Sequence, residues 1–502
     1  MKKFCIGLDI GTTSTKAILF NRRGDVISES EIEYSLLKPH SSWAEQNPAE
    51  IEHAAKKALY RTIYQKNINP KELIAVGISA AMHSIICIDE HNEAISPAIV
   101  WADGRSVSQA EKLRNAEGTN IYLKTGTPIH PMSPLAKLMW MKETGYEPYR
   151  KANKFVSIKE YLLFKWFGTY VVDYSIAAAT GFLNIHTLLW EQDALQLAGI
   201  SEDHLSKLVP PTYQLHGLDS RVAEGMGVPQ DLPFIIGASD GPLANLGIGA
   251  INKGEVAITI GTSGAIRQMT SFPKTDTKQE IFCYSFTDNL WVMGGPTNNG
   301  GIVLQWLKEL LVYNDEGPAT NVSYESFIRM AETIKPGAEN LLFLPYLNGE
   351  RSPFWDANAK GSFIGLTLSH KKEHLIRAGL EGVIYSIYHV GEALERLGDE
   401  PTRLLASGGF ARSPLWVQML ADIFGKEVYI PESHQSSAWG AAWIALYSLG
   451  EVKSLESIKE SIPMKSKVLP NEGNHLLYQK YYQIYRSLYL ALKDQFGQLS
   501  RL

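Results

Sequence analysis

Apolar residues along the chain fall into short runs that stop at small or charged positions. Phe4-Cys-Ile-Gly-Leu-Asp-Ile reads as a buried strand, and Ala17-Ile-Leu-Phe resumes as a second after Gly11-Thr12-Thr13-Ser14-Thr15-Lys16. A polar turn, Asn21-Arg-Arg-Gly-Asp, leads to a third strand from Val26. The opening is thus a meander around a Gly/Thr turn. It lacks the spacing of a P-loop. Residues 48–65 place Ile51, Ala54, Ala55, Ala58 and Leu59 at helical spacing, which predicts an amphipathic helix. Strands are predicted from Leu73, which runs into Met82-His83-Ser84, from Ile85, and from Ala98 to the tip Trp101-Ala-Asp103-Gly-Arg105. A Pro-rich loop through His130 precedes an apolar helix carrying Lys137 and Trp140.

Further on, Leu232-Pro-Phe-Ile-Ile aims a short strand at Gly237-Ala-Ser-Asp240-Gly241, and a small, apolar segment follows as a helix start. Ala257-Ile-Thr-Ile-Gly261-Thr262-Ser263-Gly264 then repeats the opening pattern. The two Gly-Thr turns lie 250 residues apart, about half the chain. Two related halves are expected, with the boundary near residue 250: domains 1–250 and 251–502. In the second half, Asn298-Asn-Gly300-Gly301 opens a helix, residues 374–397 form a long amphipathic helix, and Arg403-Leu-Leu-Ala runs into Ser407-Gly408-Gly409. Ser413-Pro414 is an N-cap and N1 pair for the next helix. An Ala-rich helix at 438–449 is expected to complete that unit, and a Tyr/Leu-rich helix at 475–496 to pack in the core.

With 502 residues, about two or three domains are expected. A net charge of -5 argues against general nucleic-acid affinity and gives no field for an acidic membrane. Three scattered cysteines exclude a disulfide scaffold and suit a reducing cytoplasm. No run of about eighteen apolar residues predicts a membrane span.

Asp240 stands among residues without bulk, so a substrate could approach it closely. It could serve as a general base, bind a metal or cap the following helix. Both Gly-Thr turns expose backbone N–H groups and hydroxyls, the donors a phosphate chain needs, although each could be a plain hairpin turn. Asp9 could hold a hydrated magnesium ion. The Ser407-Gly-Gly unit is the expected nucleoside pocket. A histidine such as His83 is commonly a satisfied core or loop residue, but here it joins other polar tips at strand ends.

Together, Asp9-Ile-Gly-Thr-Thr, Gly261-Thr-Ser-Gly264, Gly-Ala-Ser-Asp240-Gly and Ser-Gly-Gly409-Phe-Ala-Arg-Ser resemble the FGGY family of carbohydrate kinases. So do Met132-Ser-Pro-Leu-Ala-Lys137 and the segment from Gly361-Ser-Phe-Ile-Gly to His374-Leu-Ile-Arg-Ala-Gly-Leu-Glu381. The resemblance implies an α/β fold of two actin/hexokinase-like (ribonuclease H-like) domains around a central cleft. It implies Asp240 as the base for a sugar hydroxyl, Asp9 placing Mg2+, and Thr12, Thr13, Gly261 and Thr262 at the phosphates of ATP. Gly301, Gln305, Gly409 and Ser413 would line the nucleoside, and Met82 and His83, with Asp103 and Arg105, the sugar. Ser79-Ala-Ala-Met-His-Ser, Trp101-Ala-Asp-Gly-Arg, Lys124-Thr-Gly-Thr-Pro-Ile-His-Pro-Met and Ile158-Lys-Glu-Tyr look like the gluconokinase branch. A sugar-acid carboxylate could pair with His83, His130, Lys137 or Arg105, bidentate geometry favouring Arg105. Xylulokinase shares the Met-His dipeptide and is the alternative. A non-catalytic sugar sensor that binds ATP is the alternative of another class. The reading allows a homodimer.

Overall fold

In the computed structural model, which describes residues 2–312, 322–432 and 435–502, strand Phe4–Ile10 pairs antiparallel with Ser14–Asn21, and Ser14–Asn21 with Val26–Glu33. On its other side Phe4–Ile10 runs parallel to Leu73–Ala80, which runs parallel to Phe234–Ser239. The short strand Gln214–Leu215 completes a six-stranded sheet. All of Leu73–Ala80 is buried, as expected of a strand covered on both faces. Helix Pro48–Tyr64 packs on the hairpin strands, its Ile51, Leu59 and Ile63 joining the core.

The chain divides into two compact units. One comprises Met1–Ile251, Met269–Val292 and Gln435–Ile462; the other comprises Asn252–Gln268, Met293–His434 and Pro463–Leu502. The second unit repeats the plan of the first. Glu255–Ile260 pairs antiparallel with Gly264–Thr270 and parallel with Arg403–Ser407, which continues parallel into Val428–Pro431. Helix Glu472–Leu499 buries Tyr478, Tyr482, Tyr485 and Tyr489, so its aromatic stripe is core. Among the described residues no helix is long and apolar enough to cross a membrane.

One segment lies elsewhere than its sequence neighbourhood suggests. The Ala-rich helix, Ser436–Ser448, does not complete the nucleoside unit of the second half; it packs on the first unit's sheet. The cause is a seam without side chains. A Cβ on Gly7 would stand 2.0 Å from the Ala438 carbonyl oxygen, and one on Gly77 1.9 Å from that of Ala441. Backbone meets backbone here, which is the use of glycine inside a strand.

Candidate active site

Three parallel strands end side by side in the first unit. Their register sets Asp9 beside Ser79 and Ala80 beside Ser239. Asp9, the Met82-His83 pair and Asp240 are therefore carried at or just beyond the carboxyl ends of neighbouring parallel strands, where α/β sheets place ligands. Asp240 is not the helix cap. Ser239 takes that position and Asp240 opens the helix Asp240–Gly247. The half-buried carboxylate accepts the Gly241 amide at 2.7 Å.

Asp9 accepts the Ser79 hydroxyl at 2.7 Å on one oxygen and that of Ser437 at 2.6 Å on the other. No basic side chain among the described residues pairs with it. The Thr12 hydroxyl accepts the Trp101 indole N–H at 2.9 Å and its carbonyl the Gln46 amide at 2.5 Å; Thr13 is exposed.

Met82 is half-buried. His83 is buried in a left-handed conformation, φ 68°. Its Nδ1 lies 2.7 Å from the Ala179 carbonyl, so Nδ1 carries the proton. The fully buried Lys137 donates to the carbonyls of His83 (2.6 Å), Val100 (2.8 Å) and Ile99 (3.3 Å). Burial pushes its ammonium down to about 7. Half-buried His130 accepts the Met132 amide on Nδ1 at 3.2 Å.

Asp103 and Arg105, expected near the sugar, are bonded to each other. Neither side chain is solvent-accessible. Arg105 Nε and Nη2 each lie 2.8 Å from an Asp103 oxygen, Nη2 also bonds Glu45 at 2.6 Å, and the guanidinium stacks 3.7 Å over Trp43. Nε and Nη2 are taken by carboxylates of this chain, while Nη1 is buried without a hydrogen-bond partner among the described residues. Lys137 is likewise committed, to three carbonyls. Sequence reasoning missed Ser79, Ser437, Lys159, Asp173 and Ser175. None carries a local pattern that announces its partner.

In the second unit, Gly261 and Thr262 form an exposed turn whose carbonyls accept the first amides of helix Gly301–Leu311. Gly301 N bonds Gly261 O at 2.7 Å, and Gly300 and Ile302 bond Thr262 O at 3.2 and 3.1 Å. Thr259 and Ser407 are paired in register, so Gly261 and Gly408-Gly409 emerge from one sheet edge. A Cβ on Gly261 or Gly409 would meet nothing within 4 Å, leaving the backbone open to a ligand. Gln305 is exposed and bonds Glu309 at 2.9 Å; Ser413 caps helix Pro414–Phe424 through the Trp416 amide at 3.3 Å. Behind this edge the buried Glu350 gathers Thr297 Oγ1 (2.7 Å), the Asn298 amide (3.0 Å) and Asn299 Nδ2 (3.3 Å). Burial pushes its carboxyl up, and those donors oppose the shift. The space left open beside Gly261 and Gly409 suits a polyphosphate, and the Asp9 carboxylate suits a hydrated magnesium ion. Among the described residues no group of three His, Cys, Asp or Glu could hold a metal by itself.

A two-domain α/β fold with an acid at a parallel-strand end in one unit and open Gly-Thr and Gly-Gly turns in the other is that of an actin/hexokinase-like sugar kinase. Residues 4–247 match the N-terminal domain of the FGGY family of carbohydrate kinases and residues 256–449 its C-terminal domain; the chain belongs to that family. It is 47% identical to the gluconokinase of Bacillus licheniformis, covering 100% of this chain and 98% of that one. With a xylulose kinase of Staphylococcus epidermidis (strain ATCC 12228 / FDA PCI 1200) it shares 30%, covering 98% of each. Crystal structures of a gluconate kinase and of a ligand-bound xylulose kinase, both from Lactobacillus acidophilus, each superpose with a TM-score of 0.95 at 35% identity. Each covers 99% of this chain and 100% of its own. Membership makes the protein an ATP-dependent sugar kinase.

Proposed function

We propose that the protein phosphorylates D-gluconate with ATP, giving ADP and 6-phospho-D-gluconate. The supporting observation is the step from 47% identity with a gluconokinase to 30% with a xylulose kinase, both over almost the full chain. Residues 1–250 would supply the sugar side and 251–502 the nucleotide side.

Phosphoryl transfer asks a protein mainly for positioning and charge neutralisation. Bound MgATP supplies the phosphoryl group and the cation that neutralises it. Asp240 would orient the primary hydroxyl and accept its proton, with Met82 and His83 against the sugar. Asp9 would hold the magnesium through water. Thr12, Thr13, Gly261 and Thr262 would face the phosphates, and Gly301, Gln305, Gly409 and Ser413 the nucleoside. Asp103 and Arg105 would act on the sugar only through the loop they brace.

The test is ADP release with MgATP across gluconate, xylulose, ribulose, glycerol and idonate, with the product identified by NMR. Gluconate should be strongly preferred, and Asp240→Asn should lower kcat by about a hundred- to ten-thousand-fold. A ligand-bound xylulose kinase superposes equally well and keeps that sugar as the second reading. Preferential turnover of xylulose would establish it, and no turnover of any sugar would favour a sensor.

A further inference from the structure

Behind Asp240 the chain builds a closed ring of buried polar groups. Lys159 Nζ lies 2.7 Å from Asp173 Oδ2 and donates to the Ala238 carbonyl at 3.2 Å. The Ser175 hydroxyl donates to Asp173 Oδ1 at 2.6 Å and accepts the Ser239 amide at 2.7 Å. The Ala238 carbonyl and the Ser239 amide are the two ends of one peptide group. The ring therefore grips that peptide by both polar ends, immediately before Asp240. Lys159, Asp173, Ser175 and Ser239 are each at most 1% exposed, so no solvent softens the grip.

The same carboxylate reaches the other side of the site. Asp173 Oδ1 caps helix Tyr174–Ala179 through the amides of Ser175 and Ile176, both at 3.1 Å. At the far end of that helix, the Ala179 carbonyl holds His83 Nδ1. The neighbouring Ala178 carbonyl takes the Thr127 hydroxyl at 2.6 Å. One side chain thus fixes both the turn that carries Asp240 and the helix that orients His83. A buried ion pair is a weak source of stability, because desolvating two charges offsets most of their attraction. A fully connected ring does impose one geometry.

We propose that Asp173, with Lys159 and Ser175, is the positioning centre of the sugar site, setting the Asp240 carboxylate and the His83 ring relative to each other. The proposal rests on the reading of Asp240 as the base. The experiment is a double-mutant cycle of Ser175→Ala and Asp240→Asn in the full-length enzyme, with the preferred sugar of the panel above. Ser175→Ala should lower kcat about tenfold, the scale of a sub-ångström misplacement. Its calorimetric Kd for the sugar should stay within about threefold, since a positioning fault spares ground-state binding. Once Asp240 is Asn, the same substitution should change kcat less than about twofold, because coupled residues are not additive. Asp173→Asn should add a raised sugar KM through His83; if that variant does not fold, Ser175→Ala still carries the test. Equal kcat losses in both backgrounds, or parallel loss of binding and turnover in Ser175→Ala, would overturn the positioning role alone. Wild-type turnover in Asp240→Asn by itself would overturn the base assignment and the proposal with it.

Discussion

The Ser437 hydroxyl donates to Asp9 at 2.6 Å although 428 residues separate the two in the chain. With Ser79 on the other oxygen, it orients the carboxylate without neutralising it. A charge aimed by neutral donors is what an outer-sphere magnesium site requires. Loss of such an orienting bond typically costs about ten- to a hundredfold in metal affinity. Ser437→Ala should therefore raise the Mg2+ concentration for half-maximal rate about tenfold, and Asp9→Asn should raise it further. Gluconate binding measured without nucleotide should be unaffected in both. An unchanged Mg2+ requirement in Asp9→Asn would remove that residue from the metal site.

Ser437 reaches Asp9 only because helix Ser436–Ser448 lies directly on the sheet. The Cβ of Gly77→Ala would fall 1.9 Å from the Ala441 carbonyl oxygen, a backbone atom that cannot swing aside. Overpacking against fixed backbone should destabilise the protein by about 3 kcal/mol. Any folded fraction should share the raised Mg2+ requirement, because the helix that carries Ser437 is displaced. Chemical denaturation alongside the Mg2+ titration reads both effects. A Gly77→Ala enzyme of wild-type stability would contradict the close approach.

These two predictions mark where the sequence stopped being readable. Strand Leu73–Ala80 was legible as a short, nearly unbroken apolar run, and the long helix Lys372–Leu397 by the helical period of its apolar face. Asp240 drew notice because an acid with no bulk around it is unusual, and the structure sets it just beyond the end of a parallel strand. The home of the Ala-rich helix was not, because hydrophobic periodicity says that a face is buried and not against what. Gly7 and Gly77, interrupting apolar strands, were the available signal of a close backbone approach. Arg105 shows a related limit. Residue type indicates a bidentate partner for some carboxylate, but the carboxylate proved to be Asp103, two positions away.

Two glycines of the second unit differ in the space around them. Gly261 has open space where a side chain would stand, whereas a Cβ on Gly300 would lie 2.5 Å from the Ser263 carbonyl oxygen. Gly261→Ala should leave unfolding stability within about 0.5 kcal/mol of wild type, as surface changes usually do. The KM for ATP should nonetheless rise severalfold, because the added methyl stands where phosphate oxygens would approach the amides. Gly300→Ala should lose stability first. An unaltered KM for ATP in Gly261→Ala would argue against a phosphate loop there.

Lys137 gives the protein a pH dependence of known sign. Burial holds its folded pKa down at about 7, with the Asp103 charge opposing, while an unfolded lysine titrates near 10.4. Below pH 7 both states carry the proton and the cost of burying the charge stands in full. Between about pH 7 and 10 the unfolded chain binds the extra proton, so the free energy of unfolding should rise with pH, by at most about 1.4 kcal/mol per unit from this group. Stability and geometry pull in opposite directions here. The ammonium has three hydrogens for the carbonyls of His83, Val100 and Ile99, whereas the neutral amine has two, and the 3.3 Å contact to Ile99 is the weakest of the three. Lys137→Met should abolish the lysine's share of the slope when urea unfolding is compared at pH 7 and pH 9. It should also raise the KM for gluconate, because the strained His83 backbone loses its donor. If wild type and Lys137→Met show the same difference in unfolding free energy between the two pH values, this lysine does not titrate in that window.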